Sequence, residues 1–334
     1  MTATDKNGIA VFEALGTYLV SPELSFSLGR QVLSYDNQRI FGEVDWAQQG
    51  QSHDAALLTW LPGENQQLDL GFALNSDNEN LFDTPYRVNN YKNIQFAWYH
   101  LDFDKSKISF LLLNTGYEFP VSESRQELQY LQTGGSYYKF SKNNLFGDFY
   151  GYAQLGKKAN RDVQAWNLGG IINYKISETW SIGAGGEYLS GIDMGTTSED
   201  LRSFTPLFGT NHAFNGLMDY FYVGNHQNSV GLTDLYGKFT YTSGKFNISA
   251  IPHVFSTAAT IHDTSFNKMD SYLGTEIDLT GNYRVNEMFS IAMGYSQMFG
   301  TKSLEILKGG NSNQTQNWAW LAVNFNSDLF STSR

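Results

Sequence analysis

Hydrophobic and polar residues alternate with a period of two along most of this chain. In residues 273–283, Leu273, Ile277 and Leu279 share one face, while Glu276 and Asp278 lie on the other. Alternation of this kind indicates β-strands whose two faces meet different surroundings. It recurs in about sixteen segments of roughly ten residues each, without convincing helical periodicity between them. The pattern therefore predicts an all-β protein.

The length and chemistry of these segments favour strands that cross a membrane. About 9–11 tilted residues span a bilayer, and a face of small polar residues suits a wet interior. Aromatic pairs such as Tyr137 and Tyr138 stand near segment ends, where interfacial girdles lie. The longest apolar run, residues 318–323, is far shorter than the ~20 residues of a spanning helix. We therefore predict an antiparallel transmembrane β-barrel of about 14–18 strands, with residues 1–334 as a single domain.

The connections between the predicted strands alternate in length. A short turn is predicted at residues 35–37, followed by a strand at 38–47, whereas residues 302–316 form a longer polar loop. Short turns at one end and long loops at the other are typical of outer-membrane barrels. The longest loop, residues 191–229, is rich in aromatic residues, and we expect it to fold inward and narrow the pore. Its predicted constriction residues are Phe204, Phe208, His212, Asp219, Tyr220 and Tyr222.

Composition narrows the chemistry that the chain can perform. The net charge of −11 argues against nucleic acid as a partner, because phosphate binding needs clustered basic residues. The absence of Cys excludes disulfides and thiolate metal sites. The six His match no catalytic motif, and Asn75, Asp77 and Glu79 lack the other ligands of a calcium loop, so we expect a solvated loop there. The sequence thus predicts no enzyme, no cofactor and no metal site.

A series of short motifs follows in order along most of the chain. They are LGRQ at 28–31, YDNQR at 35–39, DW at 45–46, HDA at 53–55, FGTNH at 208–212, MDYFYVG at 218–224, KMDS at 268–271, GTE at 274–276, GYSQMFG at 294–300 and WAW at 318–320. Taken together, these motifs and their spacing resemble the alginate-export family of outer-membrane porins.

The resemblance implies a function and a location. Such a protein is a monomeric barrel in lipid of the bacterial outer membrane, and it passes an anionic polysaccharide or oligosaccharide through a basic lumen. Members of the family carry a signal peptide and additional strands before the first motif. Residues 1–6 show no signal-peptide pattern. We therefore expect the chain to lack two or more N-terminal strands, which would appear as a reduced strand number or a gap between the first and last strands.

Charged residues on the polar strand faces are the candidates for the pore lining. Passage of an anion needs Arg or Lys facing the pore, and Arg pairs with carboxylates through two hydrogen bonds. Arg30 is in phase with Phe26 and Leu28, so it needs a bulge or a rim position to reach the lumen. The alternative left open is that these residues lie at the rim or pair within the wall. The predicted pore-lining residues are Arg30, Arg39, Asp45, Lys175, Lys238, Glu276, Asp278 and Arg284.

Other classes of function stay open at this stage. A barrel that does not transport, such as an adhesin or a scaffold that binds surface glycan, would have a lumen blocked by side chains. A soluble all-β protein that binds or cleaves glycan would have paired carboxylates beside a cleft. The acidic net charge also leaves a neutral or mixed oligosaccharide open as the transported solute.

Overall fold

Nearly all regular structure in this chain is β. The computed structural model describes residues 11–44, 46, 50–75, 90–122, 125–226 and 229–326. No helix within these residues has the length and apolar character needed to cross a membrane. The strands are β1 (Ala14–Ser21), β2 (Leu24–Gln31), β3 (His53–Gly63), β4 (Gln66–Leu74), β5 (Asn93–Asp102), β6 (Ser106–Ser122), β7 (Arg125–Lys142), β8 (Leu145–Lys158), β9 (Arg161–Lys175), β10 (Trp180–Leu189), β11 (Leu232–Ser243), β12 (Phe246–Ser256), β13 (Tyr272–Arg284), β14 (Phe289–Gly300) and β15 (Gln316–Phe325), with a helix α1 (Lys302–Lys308) and a 3-10 turn (Val223–Asn225).

The fifteen strands form one antiparallel sheet in which each strand pairs with the next along the chain. This up-and-down order confirms the predicted all-β antiparallel barrel fold and its strand number. Within the described ranges, β1 and β15 each pair on one side only. The expected absence of N-terminal strands stays a prediction.

The two ends of the sheet carry different connections. At one end, which we call the short-turn end, the turns are residues 22–23, 64–65, 103–105, 143–144, 176–179, 244–245 and 285–288. At the other, the long-loop end, lie residues 32–52, 190–231, 257–271 and 301–315, together with the extended hairpins β6–β7 and β8–β9. Outer-membrane barrels place short turns toward the periplasm and long loops outside the cell.

A turn does lie at the predicted position, where the amide of Gln38 donates to the carbonyl of Tyr35 at 2.9 Å. It does not join two strands, however, and the strand predicted at 38–47 is absent from the described residues of that range. Residues 32–52 form one long connection between β2 and β3, here called the β2–β3 loop. Asp36 and Gln38 adopt left-handed backbone angles, with φ of 57° and 66°, which interrupt an extended chain. Because much of this loop is buried inside the sheet, its apolar positions imitate those of a strand.

Side chains along each strand alternate between the inside of the sheet and its outer surface. On the outer surface, Leu112, Leu235 and Leu321 leave more than half of their area exposed. On the inner surface, the polar residues Asn167 and Asp278 are fully buried. An apolar exterior around a polar interior fits a lipid environment and disfavours the soluble alternative. It also explains why a membrane protein has a negative mean hydropathy.

Candidate functional site

Two long loops fold into the lumen and pair with each other. One is the β2–β3 loop, and the other, residues 190–231, is the β10–β11 loop. A β-bridge joins Phe41 to Phe208. The amide of Gly42 donates to the carbonyl of Phe208 at 2.9 Å, and the amide of Phe208 donates to the carbonyl of Ile40 at 3.1 Å. The two loops therefore form one paired unit inside the sheet, and the predicted single constriction loop has a partner.

Two glycines allow the loops to approach this closely. A Cβ atom on Gly209 would overlap the backbone carbonyl oxygen of Arg39, and one on Gly42 would lie 2.6 Å from the amide nitrogen of Thr210. Only a residue without a side chain fits at such contacts. The spacing of the two backbones therefore depends on these two positions.

Aromatic rings fill the space between the paired loops and the wall. The rings of Phe41 and Phe208 stack with centroids 5.5 Å apart, and Tyr91 meets Phe208 edge-on at 5.2 Å. Phe204 is fully buried and Phe208 nearly so. These two predicted constriction residues thus form a packed core of the loop pair, and they present little ring surface to a passing solute.

The β2–β3 loop is also anchored to the wall formed by β4–β6. The hydroxyl of Tyr35 donates to Asp69 Oδ2 at 2.9 Å, and Trp98 Nε1 donates to Asp36 Oδ2 at 3.2 Å. The hydroxyl of Ser109 also donates to Asp36. Burial raises the pKa of Asp36, although these hydrogen bonds act in the opposite direction.

A buried ion pair ties the same loop to the opposite wall. The Nε and Nη2 atoms of Arg39 donate to the two carboxylate oxygens of Glu187 at 2.7 and 2.8 Å. Asn215 of the β10–β11 loop accepts from Arg39 at 2.9 Å and donates to Glu187 at 2.8 Å. The Arg39 and Glu187 side chains are 1% and 2% exposed. Arg39 is thus a structural cation that joins both loops to β10, and its charge is already neutralised.

Carboxylates on the wall hold the backbone of the β10–β11 loop. The amide of Leu217 donates to Asp278 Oδ2 at 3.1 Å, and that of Met218 donates to Glu276 Oε1 at 2.8 Å. Both acids are fully buried. The two predicted counter-charges therefore face the lumen, where they accept hydrogen bonds from the loop rather than from a predicted cation.

A histidine connects these acids to the neighbouring strands. His253 Nδ1 lies 2.9 Å from Asp234 Oδ1, and its Nε2 lies 3.6 Å from Asp278 Oδ2. Asn215 also donates to Asp234 Oδ2, at 3.4 Å. The chain of contacts from Arg39 to Asp278 therefore runs across β10, β11, β12 and β13.

Indole rings surround His212 near the last strand. Trp46 stacks on His212 at 4.0 Å, while Trp318 and Trp320 of β15 meet it edge-on at 5.1 and 6.3 Å. His212 Nδ1 lies 3.3 Å from Asp219 Oδ2. Among the described residues, the buried atoms His212 Nε2 and Trp320 Nε1 have no hydrogen-bond partner. This cluster packs against two residues of β15.

The last two predicted loop residues lie further along the β10–β11 loop. The hydroxyl of Tyr220 donates to Gln316 Oε1 at 3.1 Å, and Tyr222 is largely exposed. His226 closes this segment, and its Nε2 lies 2.8 Å from the Phe221 carbonyl. Burial lowers the pKa of His226 to about 3, so this histidine is neutral.

Free space remains on the short-turn side of the loops. A cavity of about 200 Å³ lies between the tip of the β10–β11 loop and the wall, with Asp148 and Lys238 in its lining. A second cavity of about 350 Å³, nearer the turns, is lined by Lys175 and Lys238. These two predicted cations therefore face the lumen. Arg284 ends β13 at the short-turn rim, on the same strand phase as Asp278, and is exposed.

Arg30 departs from its expected pore-lining position. It lies on the outer face of β2 and donates to both carboxylate oxygens of Asp54 at 2.8 Å. The register between β2 and β3 is continuous, so no bulge turns Arg30 inward. The expectation is corrected accordingly. Asp45, the remaining predicted pore residue, lies outside the described residues.

Sequence reasoning missed several residues of this network. They are Glu187, Asn215, Asp234 and His253. Glu187, Asp234 and His253 each lie on the inner face of a strand. The alternation pattern that placed Glu276 and Asp278 on that face would have placed these three there too. No pattern in the sequence marks Asn215, because it lies in an irregular loop.

Comparison with solved structures relates this fold to known proteins. The chain matches OccK10 (OpdN) of Pseudomonas aeruginosa with a TM-score of 0.65 at 12% identity, over 95% of this chain and 83% of that one. It matches OpdK of the same species, solved with vanillate, with a TM-score of 0.59 at 10% identity, over 91% and 75%. A BenF-like porin from Pseudomonas fluorescens Pf-5 gives 0.58 at 12% identity, over 91% and 74%. No protein-family model and no curated protein matches the sequence.

These matches define the class of fold. The chain has the fold of a bacterial outer-membrane β-barrel porin, and its apolar outer surface agrees with the predicted location in the outer membrane. By their names, these neighbours are Occ and Opd proteins and a BenF-like porin. They give no support to the resemblance to the alginate-export family.

Proposed function

We propose that this protein is a monomeric outer-membrane channel for the passive diffusion of small hydrophilic solutes, without enzymatic activity or a cofactor. The observation that carries the proposal is the pair of infolded loops, joined to each other and fastened to the wall by buried carboxylates. Rigid attachment of a narrowing to a polar barrel wall favours selection among solutes that enter the lumen.

The size of the lumen cavity supports a small solute rather than a polymer. The two cavities on the short-turn side are about 200 and 350 Å³, at or below the lower end of the ~300–1,000 Å³ typical of pockets for drug-sized ligands. A polysaccharide chain, as implied by the resemblance to the alginate-export family, needs a continuous wide passage. We therefore keep an alginate-like polysaccharide as the alternative substrate, and a small solute as the proposal.

The charge of the lumen suggests that the solute is an anion. Lys175 and Lys238 line the cavity nearer the short turns together with one carboxylate, Glu178, and Asp148 lines the other cavity with Lys238. Glu187, Glu276 and Asp278, by contrast, are buried against the loops. One structural neighbour, OpdK, was solved with vanillate, a small aromatic carboxylate. A monocarboxylate of this size is the first solute to test.

Neutralising the two lumen lysines should reduce anion selectivity. Lys175→Gln with Lys238→Gln removes the two cations that line the cavity nearer the short turns, so the anion-to-cation permeability ratio should fall on the order of twofold. Reversal potentials in a salt gradient across a planar bilayer measure this ratio. Lys302→Gln is the matched control, because Lys302 is exposed at the start of α1, at the long-loop end, and pairs with Glu305 at 2.9 Å. Equal reversal potentials for the double variant and the wild type would contradict the assignment.

The packed interior favours one further candidate, a barrel that does not transport and serves as an adhesin or a surface-glycan scaffold. Liposome swelling separates the candidates. Swelling with benzoate or a monomeric uronate, but not with alginate oligomers, supports the proposed channel. Swelling with the oligomers as well supports the polysaccharide alternative, and no swelling together with no bilayer conductance supports the adhesin or scaffold.

A further inference from the structure

A groove crosses the outer surface of the barrel over strands β5–β8. Its floor is a row of directly paired residues, Ala97, Leu112, Gly134 and Ala153, one from each strand in turn. Three of these four side chains are a methyl group or a hydrogen atom, so the surface is recessed between larger neighbours. The groove has a volume of about 570 Å³ and an almost wholly apolar lining.

A ladder of amide side chains forms the rim of this groove toward the long-loop end. Gln95, Asn114 and Gln132 are the next row of paired residues on the same outer face. Asn114 Nδ2 donates to Gln95 Oε1 at 2.6 Å, and Gln132 Nε2 donates to Asn114 Oδ1 at 2.8 Å. Gln95 continues the chain by donating to Asn93 Oδ1 at 2.7 Å.

From its chemistry, we expect the ladder to lie at the level where the hydrocarbon of the membrane ends. A side-chain amide in hydrocarbon is costly unless its hydrogen bonds are made. The ladder makes one link per residue and leaves the remaining donors and acceptors facing outward. Amides in this state suit the polar layer of a bilayer, where lipid headgroups supply partners. The groove begins one row closer to the membrane centre, at the level of the acyl chains.

A cation stands above the groove on the same face. Lys157 follows Leu155 by two residues along β8, so both side chains point outward. Its side chain is 58% exposed, and its Nζ lies 3.9 Å from Asp162 Oδ1, a loose pair. The order from membrane centre to long-loop end is therefore an apolar recess, then neutral hydrogen-bonding groups, then a positive charge.

We propose that this groove binds an acyl chain of an outer-leaflet glycolipid, with the sugar headgroup on the amide ladder and its phosphate near Lys157. The groove is continuous with the apolar outer surface that lipid must cover, and its long-loop side belongs to the outer leaflet. At this patch, the apolar recess, the amides and the cation stand in the same order as the acyl chain, the sugars and the phosphate of such a lipid. The inference rests on the fold and is independent of any transport activity.

The test fills the groove without changing its polarity. The detergent-purified full chain is stripped of lipid and incubated with lipid A, the phosphorylated and acylated disaccharide, or with phosphatidylglycerol in a parallel arm. Native mass spectrometry then counts bound lipid. We expect one bound lipid A in the wild type, and at least about a fivefold lower occupancy in the variant Ala97→Leu with Ala153→Leu. Ala184→Leu, on the exposed outer face of β10 and outside the groove, is the matched control and should bind as the wild type does.

Each remaining outcome supports or overturns the proposal. Asn114→Leu breaks the ladder while the groove stays open, and it should lower lipid A binding without lowering the thermal unfolding temperature of the barrel. This variant carries the test alone if the double variant fails to fold. Equal lipid A occupancy in the filled variant and the wild type overturns the proposal, as does equal binding of phosphatidylglycerol. A dimer that the filled variant abolishes would show that a second copy of the chain occupies the groove instead.

Discussion

Replacement of Arg39 by Met should raise the conductance of the channel and lower its stability. The substitution keeps the apolar volume of the side chain but removes the guanidinium that binds Glu187 and Asn215. Removing one partner of a buried ion pair leaves the other charge uncompensated, at a cost of about 3–5 kcal/mol. Single-channel recording and thermal unfolding in detergent measure the two effects.

The cost should appear mainly as movement of the loops. The wall is held by continuous backbone ladders between neighbouring strands, none of which involves Arg39. Among the described residues, the hydrogen bonds from the β2–β3 loop to β10 come, by contrast, from the Arg39 side chain. We therefore expect an Arg39→Met barrel that still folds, with a wider and more variable lumen, because water can then solvate the freed carboxylate of Glu187.

Two further variants distinguish the effect of breaking the Arg39–Glu187 ion pair from the effect of removing an arginine elsewhere. Arg30→Met removes an arginine with the same two-hydrogen-bond geometry to a carboxylate, but on the exposed outer surface. Such pairs contribute about 0–1 kcal/mol, so conductance and unfolding should stay close to the wild type. Arg39→Met combined with Glu187→Gln removes both charges and should recover part of the stability. Wild-type conductance and stability in Arg39→Met would contradict the structural role of the pair.

The sequence predicts the barrel well because its wall is periodic. Each strand alternates between lipid and lumen, so a period of two locates β13 and places Glu276 and Asp278 on the inner face. The same logic placed Arg30 in phase with the outer residues of β2, and the structure agrees with the phase rather than with the family motif. The position of a residue in the alternation of a strand thus predicts which face its side chain lies on better than its place in a family motif does.

The interior of the lumen is poorly predicted because loops have no period. Part of the β2–β3 loop resembles a strand in its sequence. Its partner in space, the β10–β11 loop, follows more than a hundred residues later, and the hydrogen-bonded residues Arg39 and Asn215 are 176 positions apart. A contact of that separation leaves no local pattern. Asp36 and Gln38 have the left-handed backbone angles that turn the loop into the lumen. Neither residue is a glycine, so the sequence does not mark this bend.

Replacement of Gly209 by Ala should separate the two loops. The added methyl group would overlap the carbonyl oxygen of Arg39, and a backbone atom cannot move aside as a flexible side chain can. The hydrogen bonds at risk are those of Gly42 to Phe208, of Phe208 to Ile40 and of Thr210 to Gln38. Each contributes about 0.5–1.5 kcal/mol, so the loop pair should loosen substantially while the barrel stays folded.

The effect of Gly209→Ala can be measured against closely matched control variants. We expect a higher mean conductance and faster proteolysis of the β10–β11 loop in detergent. Gly16→Ala is the control, because a Cβ atom at Gly16 would meet nothing within 4 Å. Gly42→Ala, which would place its Cβ 2.6 Å from the amide nitrogen of Thr210, should change conductance in the same direction. A Gly209→Ala protein with wild-type conductance and proteolysis would show that the loops do not depend on this contact.

Arg39→Met and Gly209→Ala disrupt different contacts of the loops, so the double variant is informative. Arg39→Met frees the β2–β3 loop from β10 but leaves its backbone paired with the β10–β11 loop, which Glu276 and Asp278 still hold. Gly209→Ala separates the backbones but leaves the ion pair with Glu187. Because Gly209 contacts the backbone of Arg39 itself, the effects should be coupled rather than additive. The double variant should therefore exceed either single variant in conductance, whereas a conductance equal to that of Arg39→Met would mean that the ion pair alone holds the loop in the lumen.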